Sequence, residues 1–244
     1  MLFTDGTILT LQDLRDHDNF VLEVASTESI ELSSKMAIAQ RAIGYELASF
    51  LGSRETPISL NRVVVNDELR DLLAVRTLAA VYSDAYNRHL NDRYLGRAKE
   101  LRQAGEQSYY RLLQNGVGIA GAAVSRAETP VVTTLLDGEL LAGLYSVQIA
   151  WQHAGGAVGE RSEEVTAECL GGSLMIIPPA TPAQITNWHV FVGSNGGDLT
   201  RQNATAVPAN EVWTQSLALR SDLTGPNPSG ADYYVRQATH LVRR

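Results

Sequence analysis

The chain has 244 residues, with 27 acidic and 20 basic side chains and a formal net charge of −7 at pH 7. This acidic balance disfavours general binding of nucleic acid, because the phosphates would be repelled. With 44% hydrophobic residues and a single cysteine, Cys169, we expect a folded protein without an intrachain disulfide and without a bilayer-spanning segment.

The first half of the sequence has the apolar spacing of α-helices. Thr10 followed by Asp13 is typical of a capped helix start, and Asn66 before two acidic residues is typical of another. Apolar residues at steps of three and four indicate the buried faces. Helices are predicted from Thr10, from Leu32 to Leu51 with Gly52 as the stop, from Asn66, and from a break at Asn91–Gly96 to Leu113. We therefore predict a helical bundle over residues 1–120.

The stretch Asn115–Gly121, NGVGIAG, contains the spacing G-x-G-x-x-G. A dinucleotide site needs a strand before the first glycine and a helix after the third, so that helix N–H groups face the pyrophosphate. Here a helix precedes the glycines and a strand follows them. We therefore expect no cofactor, and interpret Gly116, Gly118 and Gly121 as the end of the bundle and a hinge, with residues 121–130 as the glycine-rich connection.

The second half changes to the alternation of β-strands. In Leu144–Trp151, every second residue is large and apolar, and a hairpin tip follows at residues 154–157. Further strands are predicted at Glu163–Leu170, Ser173–Ile177, Asn187–Gly193 and Glu211–Gln215. Short strands separated by turn residues indicate a β-sandwich of immunoglobulin or fibronectin III type over residues 131–223. The fold class is thus α+β and multidomain, with an extended C-terminal tail over residues 224–244.

The polar residues do not form a recognisable catalytic or metal-binding pattern. The histidines lack metal-ligand spacing, and Cys169 has no partner residues typical of a nucleophile. We expect no enzyme activity and no metal. Trp151, Trp188 and Trp213 have two interpretations: core residues of the sandwich, or a platform on which a glycan stacks. The second defines an alternative function, a glycan- or cell-surface-binding module.

The order of these parts resembles the head-to-tail adaptor, or connector, proteins of tailed bacteriophages. The resemblance rests on the helical stretches LTLQDLRDHD, ELSSKMAIAQRAIGYELASFL and NDELRDLLAVRTLAAVYSDAYNRHLNDRYLGRAKELRQ. The stretches GLYSVQIAWQHAGG and GSLMIIPPATPAQITNWHVFVGSNGGDLTRQNAT resemble the immunoglobulin-like modules appended to virion proteins. Together these stretches cover most of the chain.

The resemblance implies a structural protein of the virion neck, made in the host cytoplasm and assembled as a dodecameric ring under the portal protein. DNA would pass through the ring without sequence-specific binding, and a tail or nozzle protein would be mounted below. Membrane association is not implied. Adaptor tails can reach along the portal, and the residues that match by position are Tyr233, Tyr234, Val235, Arg236, Leu241, Arg243 and Arg244.

Overall fold

The computed structural model describes residues 1–194 and 196–237. It confirms the α+β class: helices form the N-terminal half and antiparallel strands follow. The helices are α1 Leu11–His17, α2 Val21–Thr27, α3 Leu32–Gly52, α4 Asp67–His89 and α5 Asp92–Asn115. The strands are β1 Val117–Ile119, β2 Val131–Leu140, β3 Gly143–His153, β4 Val165–Cys169, β5 Gly172–Ile177, β6 Ile185–Ser194, β7 Thr200–Arg201, β8 Val207–Pro208, β9 Trp213–Gln215 and β10 Tyr233–Val235.

The helix starts follow from their capping side chains. The Thr10 hydroxyl accepts a hydrogen bond from the Asp13 amide, and the Asp13 carboxylate accepts one from the Thr10 amide in return. Asn66 caps α4, and Asn91 caps α5. These side chains satisfy amide groups that have no partner inside the helix. The predicted helix starts at Thr10 and Asn66 are confirmed.

The chain forms two compact units, and the division differs from the predicted domains. The helical unit comprises residues Phe3–Gly121 and the segment that begins at Ala231, and the β unit comprises Met1–Leu2 and Ala122–Gly230. Residues 121–130 were predicted to be a flexible connection, but Val124 and Ala127 are buried in the core of the β unit. Small and polar neighbours in the stretch GAAVSRAETP hide these two apolar residues from a reading of the sequence pattern.

Residues 224–230, predicted as the start of a tail, also belong to the β unit. Gly225 packs so closely on the Phe191 ring that an added Cβ would collide with it. The Ser229 amide donates a hydrogen bond of 2.9 Å to the Val158 carbonyl. Glycine at residue 225 therefore serves close packing, whereas the sequence prediction assigned this segment to a spacer.

The β unit contains two antiparallel sheets. One sheet has the order β2-β5-β9 and the other β4-β3-β6-β7, with β8 also paired to β6. Both sheets contribute to one buried core, which includes the predicted inward residues Tyr145, Val147, Ile149 and Trp151 of β3. The alternation predicted for β3 is confirmed. It follows from the twofold repeat of an extended chain between a core and an outer surface.

Candidate functional site

The predicted hinge glycines lie at a small sheet within the helical unit. Strand β1 pairs in antiparallel fashion with β10, so that Gly118 stands opposite Tyr234 and Val117 opposite Val235. On its other side, β1 contacts residues 62–64: the Val64 amide donates to the Gly118 carbonyl, and the Ala120 amide to the Arg62 carbonyl. Gly118 is therefore part of a paired strand, and Gly116 ends the helix directly before that strand.

Close packing explains why glycine occupies these positions. A Cβ at Gly116 would lie 2.9 Å from both the Arg236 Cγ and the Tyr234 Cβ, and a Cβ at Gly118 would lie 2.9 Å from the Ala231 Cβ. Gly116 ends α5 with φ +111° and ψ 143°, which favours glycine but lies outside the left-handed helical region expected for such a cap. Only Gly121 stands at the boundary between the units.

The segment predicted to be a docking arm is bound to its own chain as far as Gln237. The Asp232 amide donates to the Ile119 carbonyl, and the Gln237 amide donates to the Leu113 carbonyl at 2.8 Å. The Arg236 guanidinium donates to the Asn115 carbonyl at 2.9 Å. Of the predicted docking residues, Tyr233, Tyr234, Val235 and Arg236 lie together here. Leu241, Arg243 and Arg244 lie outside the described residues.

The outward face of α3 is an apolar surface that the sequence analysis did not single out. Ala37, Ile38, Ala42, Tyr45 and Ala48 are exposed along it, and Arg41 is a charged residue on the same face. The Tyr45 side chain is 72% exposed. We call this set the α3 face. Its positions recur at steps of three and four, and so lie on one side of the helix.

A groove of about 610 Å³ runs beside the α3 face, between this helix and the segment from Phe3 to Thr7. Gln40 fixes that segment: its side-chain amide donates to the Gly6 carbonyl at 2.8 Å and accepts from the Ile8 amide. Gly44 makes room for the Phe3 ring, which would lie 3.1 Å from an added Cβ. The groove and the α3 face form a continuous surface on which another helix or segment can pack.

A second, polar cluster joins α4 and α5 to the N-terminal helices. The Asp18 carboxylate accepts hydrogen bonds from the Tyr82 hydroxyl at 3.0 Å and from the Arg97 guanidinium at 3.2 Å. Burial, reinforced by the negative charge of Asp18, raises the pKa of Tyr82 to about 12. Tyr82 therefore stays protonated further into the alkaline range than an ordinary tyrosine and acts as a hydrogen-bond donor. The geometry indicates a role in stability.

The three tryptophans differ in burial, which bears on whether they are core residues or a platform for a glycan. Trp151 and Trp188 are buried in the core of the β unit, which confirms the core prediction for them. Trp213 is partly buried at the edge of the same core. A stacking platform for a glycan would therefore rest on Trp213, because the other two rings are not accessible.

The described residues also bear on metal and membrane binding. In residues 1–194 and 196–237, no three His, Cys, Asp or Glu side chains are grouped so that they could hold a metal ion. Within the same ranges, no helix is both long enough and apolar enough to cross a membrane. Helix α5 precedes Gly116 and strand β1 follows it, the reverse of the order in a dinucleotide site.

Comparison of the chain with protein-family models and with curated proteins found no match.

Proposed function

We propose that this chain is a structural subunit of a bacteriophage neck, a head-to-tail adaptor that assembles as a ring beneath the portal and mounts the tail. The observation that carries the proposal is the α3 face. Exposed small residues on a long helix allow a second backbone to approach closely, and the exposed Tyr45 ring supplies a large contact area. Such a surface suits repeated contacts between copies of one chain.

Contacts of Arg76 that join α3, α4 and α5 support this role. Arg76 of α4 makes two hydrogen bonds to the Glu46 carboxylate of α3, at 2.6 and 3.0 Å. The same guanidinium lies 5.5 Å from the centre of the Tyr109 ring of α5. Bidentate pairing fixes the angle between two helices more firmly than a single bond. A ring subunit needs such a fixed shape, since small angular errors accumulate around a closed ring.

The acidic composition also fits passage of DNA. A net charge of −7 gives the subunit a surface that repels phosphates on average, so that a moving duplex is not retained by salt bridges. The proposed ring would be a dodecamer in the virion neck, located between the portal protein and a tail or nozzle protein. Tyr233 and Tyr234 remain exposed on β10, and we assign them to the portal contact.

We infer further that the β unit is an immunoglobulin-like module. The pairing of β2 with β5 and of β3 with β6 matches the B–E and C–F pairings of that fold. The hairpins β3–β4 and β6–β7 extend the second sheet in the corresponding manner. Trp151 is buried on the strand that corresponds to strand C, where immunoglobulin domains carry a buried tryptophan.

The assembly proposal is tested with the full chain, alone and mixed with the portal protein of the same virus. Native mass spectrometry and electron microscopy should show a monomer or loose oligomer alone and a closed ring on the portal. The double variant Ala42→Glu and Tyr45→Glu should fold, as judged by circular dichroism, but form no ring. Tyr110→Glu, at an exposed tyrosine of α5, is the matched control and should assemble normally.

Two results would contradict the proposal. Absence of any complex with the portal would remove the adaptor function. Normal ring assembly by the Ala42→Glu and Tyr45→Glu variant would show that the α3 face is not the contact between subunits.

A further inference from the structure

One end of the β unit carries a cluster of exposed leucines. Three strand pairings define this end. The end of β2 pairs with the start of β5 (Leu140 opposite Gly172), and the end of β9 also lies beside the start of β5 (Gln215 opposite Leu174). The start of β3 pairs with the end of β4 (Gly143 opposite Cys169). The leucines at this end are Leu136, Leu141, Leu144, Leu170 and Leu217. We call this set the leucine end.

The exposure of these side chains is unusually high. Leu136 is 91% exposed, Leu141 79% and Leu170 76%. Single exposed leucines are common on soluble proteins, but several gathered at one end of a domain mark an interaction surface. The opposite end of the same sheet carries smaller apolar residues, among them Val131, which pairs with Ile177.

The backbone holds Leu136 outward in a fixed way. The pairing of β2 with β5 is interrupted between Leu135 and Leu140, and the residues between them form a bulge. Gly138, at φ +131°, packs on the backbone of Gly172, at φ +136°, and a Cβ on either glycine would collide with the other strand. The Glu139 amide then donates to the Ser216 carbonyl at 2.7 Å. The bulge is therefore held in place by backbone contacts on both sides.

The charges at and near the leucine end are mostly negative. The segments 136–144, 168–172, 196–199 and 215–218 lie at this end and contain Asp137, Glu139, Glu168 and Asp198 but no lysine or arginine. Arg220 follows the last segment and is paired with Asp222. Glu168 stands directly opposite Leu144 in the β3–β4 pair. An anionic lipid surface would be repelled by these carboxylates, whereas a cationic protein surface would be attracted.

We propose that the leucine end is a docking surface for a protein partner whose contact face combines apolar side chains with lysine or arginine. The leucines supply the apolar contact, and the surrounding carboxylates orient the partner and accelerate its association. The surface belongs to the β unit alone, and the proposal does not depend on ring assembly by the helical unit.

The experiment uses the full chain and two synthetic amphipathic helical peptides, one of leucine and lysine and one of leucine and glutamate. Fluorescence anisotropy should detect binding of the leucine–lysine peptide and not of the leucine–glutamate peptide. The variant Leu141→Ser and Leu170→Ser should weaken binding at least about tenfold. The variant Val131→Ser and Val212→Ser, two exposed valines at the other end of β2 and β9, is the matched control and should bind like the parent.

A charge variant separates directed docking from general attraction to an acidic protein. Asp137→Asn combined with Glu139→Gln and Glu168→Gln should weaken binding of the leucine–lysine peptide and reduce its dependence on salt. Unchanged affinity in the Leu141→Ser and Leu170→Ser variant would overturn the proposal. So would equal binding of the two peptides, or binding to phosphatidylcholine vesicles with or without phosphatidylserine, which would assign the leucines to a lipid surface.

Discussion

Gly118 and Tyr234 are Cα partners across the β1–β10 pair, and the space beside Gly118 is filled by neighbouring side chains. A Cβ there would lie 2.9 Å from the Ala231 Cβ and 3.4 Å from the Tyr234 Cε1. The absence of a side chain at residue 118 therefore allows the C-terminal segment to pair with the helical unit.

The variant Gly118→Val should displace β10 from β1. We expect a loss of about 1–3 kcal/mol in the stability of the pairing, because the valine would overpack the contact with Ala231 and Tyr234. Hydrogen exchange should become faster at the amides of Asp232 and Gln237, which donate to β1 and α5 carbonyls. The control is Gly96→Ala, at a helical position with open space around it. Unchanged exchange in Gly118→Val would show that the close packing is not required.

A chain that ends after Gly230 should have a less stable helical unit. The deletion removes the strand that pairs with the edge of β1, whose Val117 and Ile119 are buried. Exposure of one such side chain costs about 1.5–3 kcal/mol. Thermal unfolding followed by circular dichroism at the helix band should therefore shift to lower temperature. An unshifted helix transition would mean that the C-terminal segment is dispensable for folding and is free to act as an arm.

The features that were predicted correctly depend on residues that are close together in the sequence. The cap formed by Thr10 and Asp13 joins residues three positions apart, and the alternation in β3 repeats every second residue. Both patterns are visible in a short window of sequence. These features fix the helix starts and the inward face of a central strand.

The β1–β10 pair could not be predicted in this way, because its partners are far apart in the sequence. Gly121 and Asp232 are 111 residues apart, yet the Gly121 amide donates to the Asp232 carboxylate. Glycine at residues 116 and 118 is compatible with a flexible connection and with close packing, and only the tertiary contacts distinguish the two. The leucine end was missed for a similar reason, since its five leucines come from three separate segments.

The variant Asp18→Asn should lower the pKa of Tyr82. Part of the upward shift comes from the Asp18 charge, which disfavours the tyrosinate, while the largest part comes from burial. Removal of the charge leaves the burial contribution, so the pKa should fall below about 12 but stay above the ordinary tyrosine value. NMR of labelled tyrosine rings during alkaline titration measures this. The Tyr145 ring of the β unit, whose hydroxyl donates to the Leu141 carbonyl, is an internal control. An unchanged Tyr82 pKa would show that the Asp18 charge does not contribute to the shift.

The stability of the β unit should fall as the pH is lowered from about 6.5 towards about 4, because His189 is buried without a charge. Burial, followed by the nearby charge of Arg201, lowers the pKa of His189 to about 4. The neighbouring Asn203 amide lies 3.4 Å from the His189 Nδ1. In this pH range the unfolded chain binds a proton at His189 that the folded chain excludes, so acidification favours unfolding.

Between pH 7 and pH 5, the linkage from His189 should remove about 2 kcal/mol of unfolding free energy. Urea unfolding followed by tryptophan fluorescence measures the β unit alone, because Trp151, Trp188 and Trp213 all lie within it. The variant His189→Leu should lose most of this difference between the two pH values. His153→Gln, at a partly exposed histidine of β3, should keep it. If His189→Leu shows the same dependence on pH as the parent chain, the buried imidazole does not couple folding of the β unit to pH.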